Sequence, residues 1–329
     1  MKQPKVVIVG AGPGGLLAAS EAARGGAQVT VLEKNKTYHR KPCAEAVTGK
    51  TLARFPFLYP AVERMFSEAK IISYDRTARF KRRAPFLIAI DRAKLDQVQS
   101  QQATVAGAEI LYGKKVVEIR KKEVLTKSGE SYCFDYLIGA DGGLSVVRKH
   151  LGIPTVFFGA AVQYRIPTET NELVFCLDPR RFEHTYAWSF PHRGYTSVGT
   201  GFSRVQKASI FVGQLKRFCQ ELGLDWRTSQ LEGGMVNTDF RGYRFGNIFL
   251  VGEASGLVSG LTGEGIYNAL LMGKEISRQI TTGSRSSRPI EERMSKKRLH
   301  EILIRAYYTW PGFCAVFYRF SPELKVFKE

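Results

Sequence analysis

The sequence predicts a mixed α/β fold: a parallel-sheet domain interrupted by an inserted antiparallel-sheet domain and followed by a C-terminal helical segment. Three observations predict it. Apolar runs at Val6–Val9, Tyr136–Ile138 and Ile248–Val251 each end at a glycine, the pattern of buried parallel strands entering tight turns. From Phe157 to about Phe240 the texture changes to short strands rich in Tyr, Phe and Thr separated by turns, which suits an antiparallel sheet. Beyond Ser284, the residues Met294, Leu299, Ile302, Leu303 and Ala306 mark one helical face. At 329 residues the chain is long enough for two domains. The expected boundaries are 1–70, 91–154 and 240–284 for the first domain, 71–90 and 155–239 for the inserted one, and 285–329 for the terminal segment.

The N-terminal element is the most specific. Val6-Val7-Ile8-Val9 runs into Gly10-Ala11-Gly12-Pro13-Gly14-Gly15 and then Leu16-Leu17-Ala18-Ala19, and a second strand ends Val29-Thr30-Val31-Leu32-Glu33. Gly10, Gly12 and Gly15 fill the G-x-G-x-x-G pattern. The first permits a tight turn, the second lets the backbone approach a pyrophosphate, and the third lets the helix pack close to the strand. The start of that helix offers free N–H groups to phosphates. Glu33, an acid about 20 residues beyond the glycines, can accept both hydroxyls of an adenosine ribose. Strand, glycines, helix and acid together predict dinucleotide binding in a Rossmann-like domain. A glycine-rich turn in an ordinary α/β domain would leave Glu33 unexplained.

Apolar content of 44% and charged content of 24% are those of a soluble globular protein. Five cysteines, at 43, 133, 176, 219 and 314, show no CxxC or metal-ligand spacing, which predicts no metal site and fits a reducing cytoplasm. The chain enters its first strand almost at once, which predicts no signal peptide. The uncharged stretch near the end, residues 306–318, contains Pro311 and Gly312 and is shorter than the roughly 20 apolar residues a membrane span needs. The formal charge is +19, from 49 Lys and Arg against 30 Asp and Glu. Basic residues cluster at Arg79–Arg83, Lys114-Lys115, Arg120–Lys122 and after Ser284. Such a balance favours anionic partners: nucleic acid, an acidic electron donor, phosphorylated substrates or, as the preferred functional reading, an anionic membrane face touched peripherally. Solvated faces of a basic protein are the plainer account, and no nucleic-acid-binding motif is present.

The loop after the second strand reads Lys36-Thr37-Tyr38-His39-Arg40-Lys41-Pro42-Cys43-Ala44-Glu45-Ala46-Val47. Here the chain begins to resemble the p-hydroxybenzoate hydroxylase-like superfamily of flavoproteins, and within it the geranylgeranyl reductase family, which carries a Lys-x-Cys-Gly-type segment at this point. The resemblance implies FAD as cofactor and places Cys43 near the reactive face of the flavin, with Ala44 where that family has glycine. A small buried apolar residue is the alternative for Cys43. Ile71 to Arg83 and Pro85 to Ile90 read as strands, expected to join the inserted domain, and Asp91 is a candidate N-cap for the next helix. The superfamily's flavin-side arginine, followed by Leu-Asp, corresponds to Arg92; an exposed first-turn arginine is the alternative. Strands at 108–111 and 116–119 and a hairpin turning at Ser128-Gly129 follow. Lys34, Arg40 and Val117 complete the expected cofactor-binding set on this side.

Tyr136-Leu137-Ile138-Gly139-Ala140-Asp141-Gly142-Gly143-Leu144-Ser145-Val146-Val147-Arg148 resembles the superfamily's second fingerprint. The resemblance implies that Asp141 orders the cofactor-binding backbone and that Gly142 belongs to it. In the inserted domain, Tyr186, Trp188 and Phe190 recur at period two and so share a strand face, where they can line an apolar slot or form a core stripe. Tyr186-Ala187-Trp188-Ser189-Phe190-Pro191 resembles the Tyr-x-Trp-x-Phe-Pro segment of the reductases' prenyl-binding domain. Further on, Val251-Gly252-Glu253-Ala254 stands where the superfamily has Gly-Asp-Ala, so Glu253 is a longer acid in the ribityl-binding place. Leu261-Thr262-Gly263-Glu264-Gly265-Ile266 matches the reductase family's glycine bend. Gly263 and Gly265 let the backbone reach the flavin ring, and the helix starting near Ile266 points its positive end at it. Glu264 is a candidate catalytic acid, with a helix-capping role as the favoured alternative.

The resemblance therefore implies an FAD-dependent reductase that saturates isolated double bonds of a geranylgeranyl or polyprenyl chain, using NADPH or ferredoxin as electron donor. Cys43, Gly263 and Glu264 are its catalytic candidates, and Tyr186, Trp188 and Phe190 its substrate-binding ones. An FAD monooxygenase or halogenase-like enzyme on an aromatic or polyketide substrate is the second reading, and a non-catalytic flavin electron carrier the third.

Overall fold

The computed structural model describes residues 3–37, 42–74, 76–202 and 208–310, so Arg40, Cys314 and the last part of the terminal segment lie outside the described residues. The first stretch comprises β1 (Lys5–Val9), α1 (Pro13–Arg24), β2 (Gln28–Glu33), β3 (Ala46–Thr48), α2 (Gly49–Arg54) and β4 (Val62–Phe66). Next come β5 (Glu68–Ser73), β6 (Arg76–Lys81), β7 (Leu87–Ile90), α3 (Arg92–Val105), β8 (Glu109–Tyr112), β9 (Val116–Ile119), β10 (Glu123–Thr126), β11 (Ser131–Cys133), β12 (Tyr136–Gly139) and α4 (Val146–His150). The remainder holds β13 (Phe158–Ile166), β14 (Val174–Cys176), α5 (Pro179–Phe182), β15 (Ala187–Pro191), β16 (Thr196–Phe202) and α6 (Ala208–Glu221). It closes with β17 (Leu231–Asn237), β18 (Arg244–Phe245), β19 (Ile248–Leu250), α7 (Ile266–Thr282) and α8 (Arg288–Thr309).

The apolar runs read as buried strands do form the centre of one sheet. Its order is β18-β19-β12-β1-β2-β8, parallel throughout except for the β18–β19 edge pair. Val6, Ile8, Val29, Val31, Ile138 and Phe249 form one core with Ala18, Ala19 and Ala22 of α1 and Met272, Ile276 and Ile280 of α7. Val7, Val9, Leu137 and Leu250 point the other way, into a core shared with Val116, Ile119, Val124 and Phe134 of the β9–β11 meander and Val147 of α4. Both faces of the sheet are thus covered, which is why its strands are apolar on both sides.

The inserted region forms a seven-stranded sheet, β17-β13-β16-β15-β14-β5-β6, antiparallel except where β14 runs alongside β5. One face carries α6, an element absent from the sequence reading, through Phe211, Leu215, Phe218 and Cys219 against Tyr164, Ile166, Val174, Cys176 and Val198. The opposite face carries Ile71, Phe175, Trp188 and Phe190. Gly199 is demanded by this arrangement, because a Cβ there would lie 2.3 Å from the Trp188 ring.

Two expectations are corrected. The strand at Leu87–Ile90 does not join the large sheet with β5 and β6; it runs between β3 and β4 in a separate three-stranded sheet. Its apolar side chains bury there: Ile88 and Ile90 pack with Leu52, Phe55, Leu58, Leu95 and Leu270. The C-terminal helix does form, but Leu299 and Ile302 of its expected apolar face are 54% and 61% exposed. The buried face is instead Ile290, Arg293 and Lys297, spaced at one helical turn and two. Polar partners explain the inversion. Arg293 Nε donates to Asn268 Oδ1 at 2.8 Å, Lys297 Nζ donates to the Val258 carbonyl at 2.9 Å, and His300 Nδ1 meets Ser259 Oγ at 2.8 Å.

Candidate active site

The C-terminal ends of β1, β2, β12 and β19 open on one cavity of about 2300 Å³, the place where open α/β sheets bind ligands. Gly10 turns the chain with φ 103°, and a Cβ on it would lie 2.5 Å from the Ala140 carbonyl oxygen. A Cβ on Gly15 would meet the Gly10 carbonyl at 2.2 Å, so the third glycine seats α1 against β1. Gly12 is different: a Cβ there meets nothing within 4 Å, and the residue lines the cavity. Pro13 opens α1, whose N-terminus no side chain caps. Gly14 lies against Val251 and Ala269, holding α1 on β19 and α7.

Glu33 sits at the end of β2 with Oε2 accepting the Ala11 N–H at 2.9 Å and Oε1 accepting both the backbone and side-chain N–H of Asn35 at 2.9 and 2.6 Å. The carboxylate is thereby tied to the glycine turn. Asn35 was not anticipated, and only its position two residues after Glu33 could have marked it. Lys34 also lines the cavity. Val117 does not: it is 48% exposed, and its neighbour Val116 faces inward. The strand's two-residue alternation puts one of the pair on each side.

Asp91 caps α3, accepting the N–H groups of Ala93 and Lys94 at 2.7 and 3.1 Å. Arg92 is buried rather than an exposed first-turn residue, lines the cavity and pairs with Asp96 at 3.7 Å. Burial pushes the Asp96 carboxyl up to about 6; Arg92 opposes the rise and Glu33 adds to it. Gln99, one turn on, donates to the Pro13 carbonyl at 2.9 Å and ties α3 to the start of α1.

Asp141 spends its carboxylate on the chain. It accepts the Ser145 hydroxyl at 2.5 Å and the Val146 N–H at 2.7 Å, so it orders the loop that leads into α4. Burial raises its pKa, and these hydrogen bonds oppose the rise. Gly142, with φ 83°, has open space where a Cβ would stand. Arg148, from the same motif, is 2% exposed and donates to the carbonyls of Ala254, Ser255, Pro154 and Asp239. It thus joins this loop to the turn after β19. There Gly252 has φ 62°, and a Cβ on Gly143 would lie 3.2 Å from Glu253 Oε2, so the longer acid packs over the Asp141 loop.

The glycine bend faces the inserted domain. Gly263 has φ 69°, and Gly265 forms the uncapped N-terminus of α7, followed by Ile266; all three line the cavity. Glu264 is not the cap. Its carboxylate pairs with Arg293 of α8 and, at 3.5 Å, with Lys50 of α2. Opposite the bend stand Tyr186, Trp188 and Phe190, with Tyr186–Trp188 and Trp188–Phe190 ring centroids 6.1 and 6.0 Å apart. All three line the cavity, so the shared face is a wall of it, continued by Phe175 beside them on β14. The Tyr186 hydroxyl donates to the Thr262 carbonyl at 3.0 Å and ties wall to bend. Burial, with Cys43 nearby, pushes its phenol up to about 12. Cys43 and Ala44 line the same part of the cavity, and the Cys43 thiol accepts the Glu45 N–H at 3.3 Å.

The nucleotide cradle, the bend and the aromatic wall therefore meet around one space. The open positions at Gly12 and Gly142, the acid at the end of β2 and the uncapped helix starts fit an FAD. Among the described residues, no group of His, Cys, Asp and Glu could hold a metal ion, and no helix is long and apolar enough to cross a membrane.

Comparison with known proteins agrees with this geometry. The chain is 26% identical to the chloroplastic geranylgeranyl diphosphate reductase of Arabidopsis thaliana, over 99% of this chain and 76% of that protein. It is 25% identical to digeranylgeranylglycerophospholipid reductase 3 of Methanosphaera stadtmanae, over 90% of this chain and 82% of that one. In fold it resembles a geranylgeranyl bacteriochlorophyll reductase-like protein from Thermoplasma acidophilum, with a TM-score of 0.74, 22% identity, and coverage of 90% of this chain and 83% of that one. The profile of the pyridine nucleotide-disulphide oxidoreductase family matches residues 4–211. The chain belongs to that family and is an FAD-dependent oxidoreductase, similar to the geranylgeranyl reductases.

Proposed function

We propose that this protein saturates isolated double bonds of a geranylgeranyl or other polyprenyl chain carried by a lipid, a chlorophyll precursor or a quinone. One observation carries the reading. The Tyr186–Trp188–Phe190 wall, Cys43 and the Thr262–Gly265 bend enclose the same apolar end of the cavity whose other end is the nucleotide cradle. The names of the relatives support the same substrate class.

An isolated alkene is a poor hydride acceptor, so a proton must add at one carbon as hydride adds at the other. Bound FAD, reduced by NADPH or ferredoxin, would supply the hydride. The chain's own task is to hold the prenyl chain, exclude water and deliver the proton. Tyr186 and Trp188 bury the chain, and their π faces stabilise positive charge that develops on the tertiary carbon. Cys43 gives its thiol proton to the other carbon and recovers one from solvent. The basic surface would bring the enzyme to an anionic membrane face, where such lipids lie.

The test is a single turnover. The bound flavin is reduced without oxygen, geranylgeranyl lipid is added, and reoxidation and product are followed. The expected product has gained two hydrogens per bond reduced; hydroxylated product or peroxide on admitting oxygen would favour the monooxygenase reading, and unaltered lipid the electron carrier. Cys43→Ser is expected to slow the step about 100-fold, and an undiminished rate would remove Cys43 from the chemistry.

A further inference from the structure

Behind the Cys43 loop lies a buried polar cluster that takes no part in lining the cavity. His192, in the turn between β15 and β16, is 0% exposed. Its Nε2 is 3.2 Å from the Ala44 carbonyl, and its Nδ1 is 2.5 Å from Glu63 Oε2 of β4. A carbonyl only accepts hydrogen bonds, so Nε2–H donates to Ala44, while Nδ1 pairs with the Glu63 carboxyl. The ring stacks on Tyr195, with centroids 4.5 Å apart and planes within 4°. The Tyr195 hydroxyl donates to Glu45 Oε2 at 2.8 Å, and the Arg165 guanidinium of β13 lies 3.9 Å from the Tyr195 centroid.

All of these contacts converge on three residues. Cys43 accepts the Glu45 N–H, Ala44 accepts from His192, and the Glu45 carbonyl accepts the Ile90 N–H at 2.8 Å. Glu45 has φ 54°, a left-handed conformation that non-glycine residues hold only where the surroundings impose it. The surroundings here are the turn of the inserted domain and β4.

We propose that His192 and Glu63 are positioning residues for Cys43. Through this hydrogen-bonded pair, the inserted domain holds the backbone of residues 43–45 and so aims the thiol along the cavity wall. The same contacts make the Cys43 loop's geometry depend on the two domains staying in register. The consequence for turnover rests on the reductase reading given above; the positioning itself does not.

The experiment uses the full chain loaded with FAD and follows alkylation by iodoacetamide, peptide by peptide, with mass spectrometry. In His192→Phe, which keeps a ring against Tyr195 and loses both hydrogen bonds, Cys43 is expected to react about tenfold faster or slower than in the wild type. Glu63→Gln, which keeps an acceptor and loses the charge, is expected to move the rate in the same direction by about threefold. The exposed Cys133 and the buried Cys176 and Cys219 serve as controls and are expected to keep their wild-type rates. A general loosening of the protein would raise Cys176 and Cys219 together with Cys43, and would overturn the proposal. So would an unchanged Cys43 rate in both variants. If His192→Phe does not fold, Glu63→Gln decides alone. A Cys43 response without prenyl reduction by the wild type would leave the positioning standing and remove the reductase reading; prenyl reduction without a Cys43 response would do the reverse.

Discussion

Asp96 is the residue through which pH reaches the nucleotide cradle. Its side chain and that of Arg92 are 12% and 10% exposed, and they meet at 3.7 Å. Because burial raises the carboxyl from an ordinary 3.8 to about 6, the folded protein keeps a proton that the unfolded chain has released between those values. The contribution of Asp96 to stability therefore falls as pH rises from about 4 to about 6 and levels off above. Two pKa units correspond to at most about 3 kcal/mol. Asp96→Asn cannot titrate, so it should gain stability relative to the wild type across that window and hold the gain at pH 7. Urea unfolding of both proteins at stepped pH measures it; a constant difference from pH 4 to 7 would clear Asp96 of the effect. Other residues at this scale were readable only in part. Glu33 stood out by its distance from the glycines, whereas Asn35, which holds it, and His192, two residues beyond Phe190, carried no signal of their own.

Among the elements, the α1–α7 crossing decides whether the cradle can form. Gly273 of α7 faces Gly14 of α1 so closely that a Cβ would lie 2.3 Å from the Gly14 carbonyl oxygen and 3.2 Å from the Ala18 N. Gly273→Ala should push the helices apart and cost about 1–3 kcal/mol, read as a lowered melting temperature and lost flavin. Gly12→Ala tests the opposite case. Its added methyl meets no protein atom, so the melting temperature without flavin should stay put while the affinity for FAD falls at least about tenfold, measured by flavin fluorescence. Gly273 could not be recognised in advance, because a lone glycine in a helix looks like a simple loss of propensity until its neighbour across the crossing is known. The same limit applies to α8. Its periodicity pointed to an apolar face, but Arg293, Lys297 and His300 turned inward because Asn268, Val258 and Ser259 offer them hydrogen-bond partners there. Burial lowers the pKa of Lys297, and Glu301 at 3.1 Å opposes the fall.

For the whole molecule, the excess of cations is the property that no single element explains. A formal charge of +19, with basic clusters at Arg79–Arg83, Lys114-Lys115 and Arg120–Lys122, should draw the protein to anionic vesicles at low salt and release it as salt rises. Co-sedimentation with vesicles of anionic and of neutral lipid measures this, and equal recovery on both would leave the charge as solvated surface alone. The two domains are held together at the site itself. Tyr186 bonds to Thr262, His192 to Ala44, and Tyr308 of α8 to Glu183 at 3.0 Å, and each of these three contacts also shapes the cavity or the segment behind it.

The sequence by itself determined the parallel sheet, the nucleotide cradle and the aromatic strand face. Each rests on a local rule: a period of two, glycines at turns that need them, an acid at a strand end. It also marked Cys43 and the glycine bend, through their resemblance to a known family. Only the tertiary structure decided what those parts face. It brought Cys43, Tyr186 and the bend around one space, turned Val117 outward, set Leu87–Ile90 in a different sheet, and gave Glu264 to Arg293 and Lys50 instead of to the helix start. The physical reason is that a side chain's partner across the molecule depends on loop paths and helix crossings, which no periodicity along the chain encodes.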